Sequence, residues 1–361
     1  MREALAERLL ANVMGWSPEQ VAEERPLLQD LATYKYDEYQ QFSTGMHFVE
    51  RLAVWLGQFS QGQDRQIAYD FIKRNLLYIT EPEMRHLVSL AYPDIIKPIL
   101  LAKAASQTGI PEYLVGKLSS HEVFPRLRRR SLFLGLSDGA RMDVLRRLAR
   151  LDNEQVSAGY QLSSDKCKDL IDELNKSEKV KDARFQTLFL LDDFSGSGDS
   201  LFRRENNALK GKIHTCMETL LRDNQTTDLF DINSLDVHVI LYLATQRALS
   251  DLRDRISQYS PSSWPTCDVQ AVYTIPDSVR VSGDKEPEFD AILKKYYDPS
   301  IMDRHLLKGG PDVIHGYAGC SLPLILNHNT PNNSVYLLWV NREDIKPIGL
   351  FPRVSRHREE L

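Results

Sequence analysis

The sequence predicts an α/β protein: a parallel, Rossmann-like sheet with helices on its faces, preceded by an all-helical N-terminal domain. Two observations carry this. Short apolar runs at 132–136, 188–191, 237–245 and 269–275 alternate with segments whose apolar residues recur at helical spacing. Before about residue 120 the pattern is helical throughout, with no strand alternation and no internal repeat. A boundary at 125/126 then separates a helical domain over 1–125 from an α/β domain over 126–361. Strands that alternate with helices imply right-handed crossovers.

The N-terminal elements follow in order. Leu5, Leu9, Leu10 and Val13 mark a first amphipathic helix. Phe48, Leu52, Trp55, Leu56 and Phe59 form an apolar stripe at i, i+4, i+7, i+8 and i+11. Ile67, Phe71 and Leu76 suggest another helix. Thr80-Glu81-Pro82-Glu83 has the form of a capping box before Leu87 and Leu90. Residues 95–105 add an apolar segment. Trp55 and Phe59 read as core rather than as platforms for stacked bases, and no basic recognition helix is visible.

The most basic stretch comes next. Arg126, Arg128, Arg129, Arg130, Arg141, Arg146, Arg147 and Arg150 face only Asp138 and Asp143, in a chain of net charge −5. Within it, 131–141 reads as a strand, a tight turn through Gly139, and a helix starting near Arg141. Arg141 suits a polyanion, which a guanidinium grips by forked hydrogen bonds. The run Arg128 to Arg130 is expected to face solvent or a partner. Arg146, Arg147 and Arg150 suit a solvated helical face equally well. Residues 152–184 are polar and mixed, with Gln155, Tyr160 and a helix-like Cys167 to Leu174.

The stretch around residue 190 carries the chemistry. Leu188 to Leu191 are apolar on both faces, as in a buried strand. Asp192 and Asp193 stand where that strand would end. Ser195, Gly196, Ser197, Gly198, Asp199 and Ser200 follow, and then Leu209, Ile213, Met217, Leu220 and Leu221 at helical spacing. The order is strand, acidic pair, small-residue loop, helix. In an open α/β sheet such a loop lies at the carboxyl end of a strand, where ligands bind. Glycines let the backbone approach an anion, and the helix N-terminus favours phosphate. The acids suit diol hydroxyls or a hydrated Mg²⁺. Together they point to a sugar phosphate.

Beyond it, 237–245 is a strong strand, Ala248, Leu249, Leu252 and Ile256 mark a helix, and 269–275 is a further strand ended by Pro276. His238 reads as structural. Residues 276–312 are charged, with a short helix around 289–297. Then come His315-Gly316-Tyr317, an apolar strand at 322–326, a Pro-Asn turn at 328–334 and a closing apolar segment at 335–340 with Trp339.

Residues 188–200 resemble the phosphoribosyl-diphosphate (PRPP) motif of type I phosphoribosyltransferases. The resemblance makes Asp192 and Asp193 the acids that contact the ribose hydroxyls and hold Mg²⁺, directly or through water. It makes Ser197, Gly198 and Ser200 the 5′-phosphate loop. Ser195 departs from the usual aliphatic residue, and Asp199 puts a carboxylate in a loop meant for a dianion. Ser137, Asp138, Gly139, Ala140 and Arg141 take the place of the family's diphosphate loop. Gln155 and Tyr160 are candidates for its mobile flap. The Gly-Tyr, His-Asn-Thr-Pro-Asn-Asn and Trp pattern of 316–339 resembles a divergent branch associated with bacterial conflict systems, including retron-encoded ones.

The implied function is transfer or removal of a phosphoribosyl group at C1′, with Mg²⁺ as cofactor and PRPP or a nucleotide as ligand, by an effector of anti-phage defence. Its implied partner is a reverse transcriptase–noncoding RNA/DNA complex or another defence protein, docked through the helical domain. The alternative is a catalytically inactive module that senses PRPP or a nucleotide, or docks a partner. Composition agrees with a soluble protein, at 42% hydrophobic and 26% charged residues. Cys167, Cys216, Cys267 and Cys320 are widely spaced, which argues against a zinc site or a disulfide framework and fits a reducing cytoplasm. The charged N-terminus and the absence of an apolar run near 18 residues argue against secretion and membrane spanning.

Overall fold

The computed structural model describes residues 3–222, 228–341 and 347–354. The chain divides into two compact units, Met1–Glu83 with Asp277–Leu361, and Met84–Pro276. The units cut the chain elsewhere than at 125/126. The N-terminal helices fold with the C-terminal segment, and the helices between 84 and 129 fold with the sheet. The reason is the apolar stripe over 48–59, which has to be covered and finds its cover far along the chain, at Leu337 and Phe351.

In the first unit, α1 (Glu3–Met14), α3 (Phe48–Gly57) and α4 (Gly62–Asn75) follow the predicted stripes, and α2 (Pro18–Tyr34) is a helix that no stripe had marked. A capping box starts α2: Ser17 Oγ accepts from the Gln20 amide at 3.3 Å, and Gln20 Oε1 accepts from the Ser17 amide at 2.9 Å. Phe48, Leu52, Trp55, Leu56 and Phe59 are all buried. Their partners come from the far end of the chain. Trp55 Nε1 donates to the Leu337 carbonyl at 2.9 Å, and Phe48 stacks on Phe351 with centroids 5.8 Å apart.

This unit is not wholly helical. Strand β1 (Leu77–Ile79) pairs in parallel with Leu324–Leu326. The strand read at 322–326 is therefore shorter and lies outside the main sheet, and the segment 335–340 contains a short helix, Tyr336–Trp339. Short runs buried on every side carry no period that separates helix from strand. The Thr80–Glu83 box forms as read: Thr80 Oγ1 accepts from the Glu83 amide at 3.2 Å, and Glu83 Oε2 from the Thr80 amide at 2.8 Å.

The chain enters the second unit through α5 (Glu81–Leu90), then α6 (Lys97–Thr108), α7 (Val115–Ser120) and α8 (Val123–Arg129). The α/β part follows: β2 (Ser131–Gly135), α9 (Met142–Ala149), β3 (Val156–Ser157), α10 (Ser164–Glu178), β4 (Thr187–Ser195), the antiparallel hairpin β5 (Arg203–Glu205) and β6 (Ala208–Lys210), α11 (Lys212–Arg222), β7 (Asp236–Thr245), the helix Gln246–Tyr259, and β8 (Thr266–Ile275). The five-stranded sheet has order β3-β2-β4-β7-β8, and every pair is parallel. The fold class read from the sequence holds. The hairpin was not anticipated, so the loop after β4 does not run straight into a helix. Among the described residues no helix is long and apolar enough to cross a membrane.

The order of this sheet matters for function. From β2 the chain goes to β3 on one side, and β4, β7 and β8 then follow on the other. The order reverses between β2 and β4. In open parallel sheets the connections leave a crevice at such a point, at the carboxyl ends of the strands.

Candidate functional site

The crevice is built by a difference in strand length. On one side β4 pairs with β7 as far as Ser195 opposite Ala244. On the other side β2 stops at Gly135 opposite Leu191, with one further bond from the Leu136 amide to the Leu191 carbonyl at 2.8 Å. From Asp192 onward β4 therefore has a neighbour strand on one side only. The 137–141 loop folds into the space left by β2.

That loop and the acidic pair meet. Ser137 Oγ donates to Asp192 Oδ1. A Cβ built on Gly139 would lie 2.2 Å from Asp193 Oδ2, so only a glycine lets this carboxylate rest on the loop. Tyr242, buried on β7, donates from its hydroxyl to the Ala140 carbonyl at 2.6 Å. Arg141 ends the turn in the left-handed region, at φ 46° and ψ 44°, and its Nη1 donates to the Gly139 carbonyl at 3.2 Å. A left-handed arginine is strained, and such strain is common at ligand-binding turns. Burial, with the charge of Asp193, pushes the Tyr242 phenol up, and the Arg141 guanidinium opposes the shift. Tyr242, Arg141 and the two acids thus lie within electrostatic reach of one another.

The two acids differ. Successive residues of a strand point to opposite faces. Asp192 is 1% exposed. Its Oδ1 takes the Ser137 hydroxyl and the Asp193 amide (3.1 Å), and its Oδ2 takes Lys212 Nζ at 2.6 Å. Burial, then the charge of Asp193, pushes the Asp192 carboxyl up to about 6, against the pull of Lys212 and Ser137. Asp193 is half-buried, and its Oδ1 accepts from the Phe194 amide at 2.9 Å.

The loop 195–200 is held from within. Ser195 Oγ accepts from the Gly198 amide at 3.2 Å, and Thr245 Oγ1 donates to the Gly196 carbonyl at 2.7 Å. Gly198 sits at φ +80°, and a Cβ there would lie 2.7 Å from Leu252 Cγ. The first amides of α11 are taken by the loop itself: Lys212 N donates to the Ser200 carbonyl (3.0 Å) and Ile213 N to Leu201 (2.9 Å). The helix N-terminus anticipated for a phosphate is thus closed by the loop's own carbonyls. Among the described residues no acceptor takes the Ser197 and Ser200 amides. Asp199 is neutralised by Arg255, whose Nη1 lies 2.7 Å from its Oδ1. The carboxylate that stood out in a loop meant for an anion is paired.

Other sequence-read residues fall differently. Gln155 is 2% exposed and donates from Nε2 to the Arg128 and Ser131 carbonyls at 2.9 and 3.0 Å, so it is a brace and not part of a flap. Tyr160 packs half-buried against the core. The Arg128 to Arg130 run does not face solvent. Arg128 donates to the Ala149 carbonyl at the end of α9 (2.8 Å), Arg130 grips Glu178 at 2.8 and 2.9 Å, and Arg129 lies largely buried near Asp152. His238 bonds Asp236 at 2.7 Å near the start of β7, the end of the strand remote from Thr245. The 315–334 motif braces the first unit: Tyr317 N donates to the Asn332 carbonyl (2.6 Å) and Ser334 Oγ to Leu324 (2.6 Å).

Lys212 was not singled out from the sequence, where it reads as an ordinary solvated helix residue. The same donors decide how a metal would fit. Asp192 is enclosed and accepts three hydrogen bonds, so it does not fit a hydrated Mg²⁺. Among the described residues no three His, Cys, Asp or Glu side chains cluster as a metal site.

A family model described as PRTase-CE matches residues 52–353. No curated protein and no solved structure matches the chain significantly.

Proposed function

We propose a phosphoribosyl-transfer function from one premise: the chain belongs to the PRTase-CE family and is a phosphoribosyltransferase-like protein. In this reading the ligand is PRPP or a nucleotide, and the reaction transfers or removes a phosphoribosyl group at C1′. The biological setting is that of a cytoplasmic effector in anti-phage defence, including the retron type, with a reverse transcriptase–nucleic acid complex or a defence protein as partner. The observation that supports the chemistry best is the meeting of the 137–141 loop with Asp193 at the β2/β4 opening. Asp193 would bind the ribose diol, the Ser197 and Ser200 amides the 5′-phosphate, and Arg141 the diphosphate. As the C1′ bond lengthens, the ribose gains positive charge, which a fixed carboxylate nearby stabilises.

One observation favours a second reading, a module that senses the ligand without turning it over. Both oxygens of Asp192 are already satisfied by the protein. Incubation with labelled PRPP and with nucleotides separates the two. Release of ribose phosphate, diphosphate or free base supports the enzyme, and stoichiometric binding without product supports the sensor. Absence of both binding and turnover overturns the proposal. Co-purification of nucleic acid or a second protein tests the docking role.

A further inference from the structure

We infer that Lys212 occupies the cation position at Asp192, so that Asp192 is a positioning carboxylate and not an acid that contacts the ligand. The word ligand rests on the phosphoribosyl reading above; the pairing itself does not.

Three observations carry it. First, the acids lie within β4, which stays in register with β7 through Ser195, so their side chains leave opposite faces of the strand. Second, Lys212 Nζ lies 2.6 Å from Asp192 Oδ2, while Ser137 and the Asp193 amide fill Oδ1. Asp192 is 1% exposed, whereas the lysine side chain is 27% exposed. The ammonium has three N–H donors and Asp192 takes one, which leaves capacity for a ligand oxygen. Third, the lysine is held on a fixed backbone. Its own amide bonds the Ser200 carbonyl at 3.0 Å. Gly211 before it has φ +112°, and a Cβ there would lie 2.4 Å from the Leu201 carbonyl oxygen. Charge agrees: the Lys212 ammonium offsets the Asp192 carboxylate, so this buried acid is compensated without a divalent ion. A phosphorylated ligand then does not need metal bound beforehand at Asp192.

The test is thermal unfolding of the full chain in EDTA and in millimolar Mg²⁺, for wild type, Lys212→Met, and Lys212→Met combined with Asp192→Asn. Wild type should unfold at the same temperature in both buffers. Removing the lysine leaves Asp192 buried beside a like charge, so Tm should fall by about 5 °C in EDTA. Mg²⁺ should restore part of that loss by taking the vacated place. The double variant should recover without metal, and it keeps the test open if the single variant does not fold. The inference is overturned if Lys212→Met unfolds like wild type, if the double variant is no more stable than the single one, or if Mg²⁺ stabilises wild type as much as it does Lys212→Met. Binding of labelled PRPP and nucleotides to wild type is measured alongside. Its absence would defeat the phosphoribosyl reading and leave the pairing result standing.

Discussion

Gly139→Ala tests the site with little disturbance to the fold. A Cβ at this position would lie 2.2 Å from Asp193 Oδ2 and 2.5 Å from its Cγ. Ordinary contact requires the carboxylate oxygen to retreat by about 1.3–1.8 Å. The clash is with the far end of a half-buried side chain and not with backbone, so the side chain can yield. Moving Asp193 off its rotamer costs about 0.5–1.5 kcal/mol. Replacing glycine restricts the unfolded chain, which returns about 0.4–1 kcal/mol. Net stability should change by less than about 1 kcal/mol. Function should suffer more, because a misplacement of about 1 Å in a positioning group costs on the order of 100-fold. Urea unfolding and the affinity or turnover of PRPP and nucleotides are the measurements. Gly159→Ala is the control, since a Cβ there meets no atom within 4 Å. A Gly139→Ala variant that binds and turns over ligand like wild type would remove Asp193 from the site. One that loses several kcal/mol would make the loop contact structural.

Three further outcomes are expected. Gly198→Ala places a side chain at φ +80° against Leu252 and should cost about 2–4 kcal/mol, read from urea unfolding; an unchanged midpoint would refute the constraint. Tyr242→Phe removes the bond that holds the Ala140 carbonyl and should cost about 1–2 kcal/mol and weaken ligand binding, checked by unfolding and calorimetry. The Asp192 carboxyl is raised to about 6, so the folded state binds a proton between about pH 4 and 6 that the unfolded chain does not. Its contribution to stability is therefore largest below about pH 4 and is lost as pH rises through 6; the stability difference between wild type and Asp192→Asn should move in wild type's favour on acidification, and a pH-independent difference would refute it.

The main sheet was legible because its central strands are buried on both faces. Eight consecutive residues from Val237 to Ala244 with one histidine and no other charge admit few other readings. The stripe from Phe48 to Phe59 was legible for the same reason at helical period. The division into units was not legible. Trp55 bonds Leu337, and Phe48 stacks on Phe351, across nearly 300 positions in sequence. A hydrophobic face announces that it must be covered but carries no mark of what covers it.

The acids and small residues of the site stood out because they interrupt an apolar strand, whereas Lys212 interrupts nothing. Its place depends on the β5–β6 hairpin, and that hairpin did leave a local mark. Asn206 and Asn207 both have positive φ, 51° and 62°, and form the two-residue turn between Glu205 and Ala208. Paired positive φ is the type I′ geometry for which asparagine is a preferred residue. The hairpin returns the chain to Gly211, Gly211 turns it tightly past Leu201, and the next residue starts α11 with its side chain at Asp192. The turn and the cation are therefore linked: the hairpin brings the chain back to Gly211, and Lys212 stands at the first position of α11 with its ammonium on Asp192.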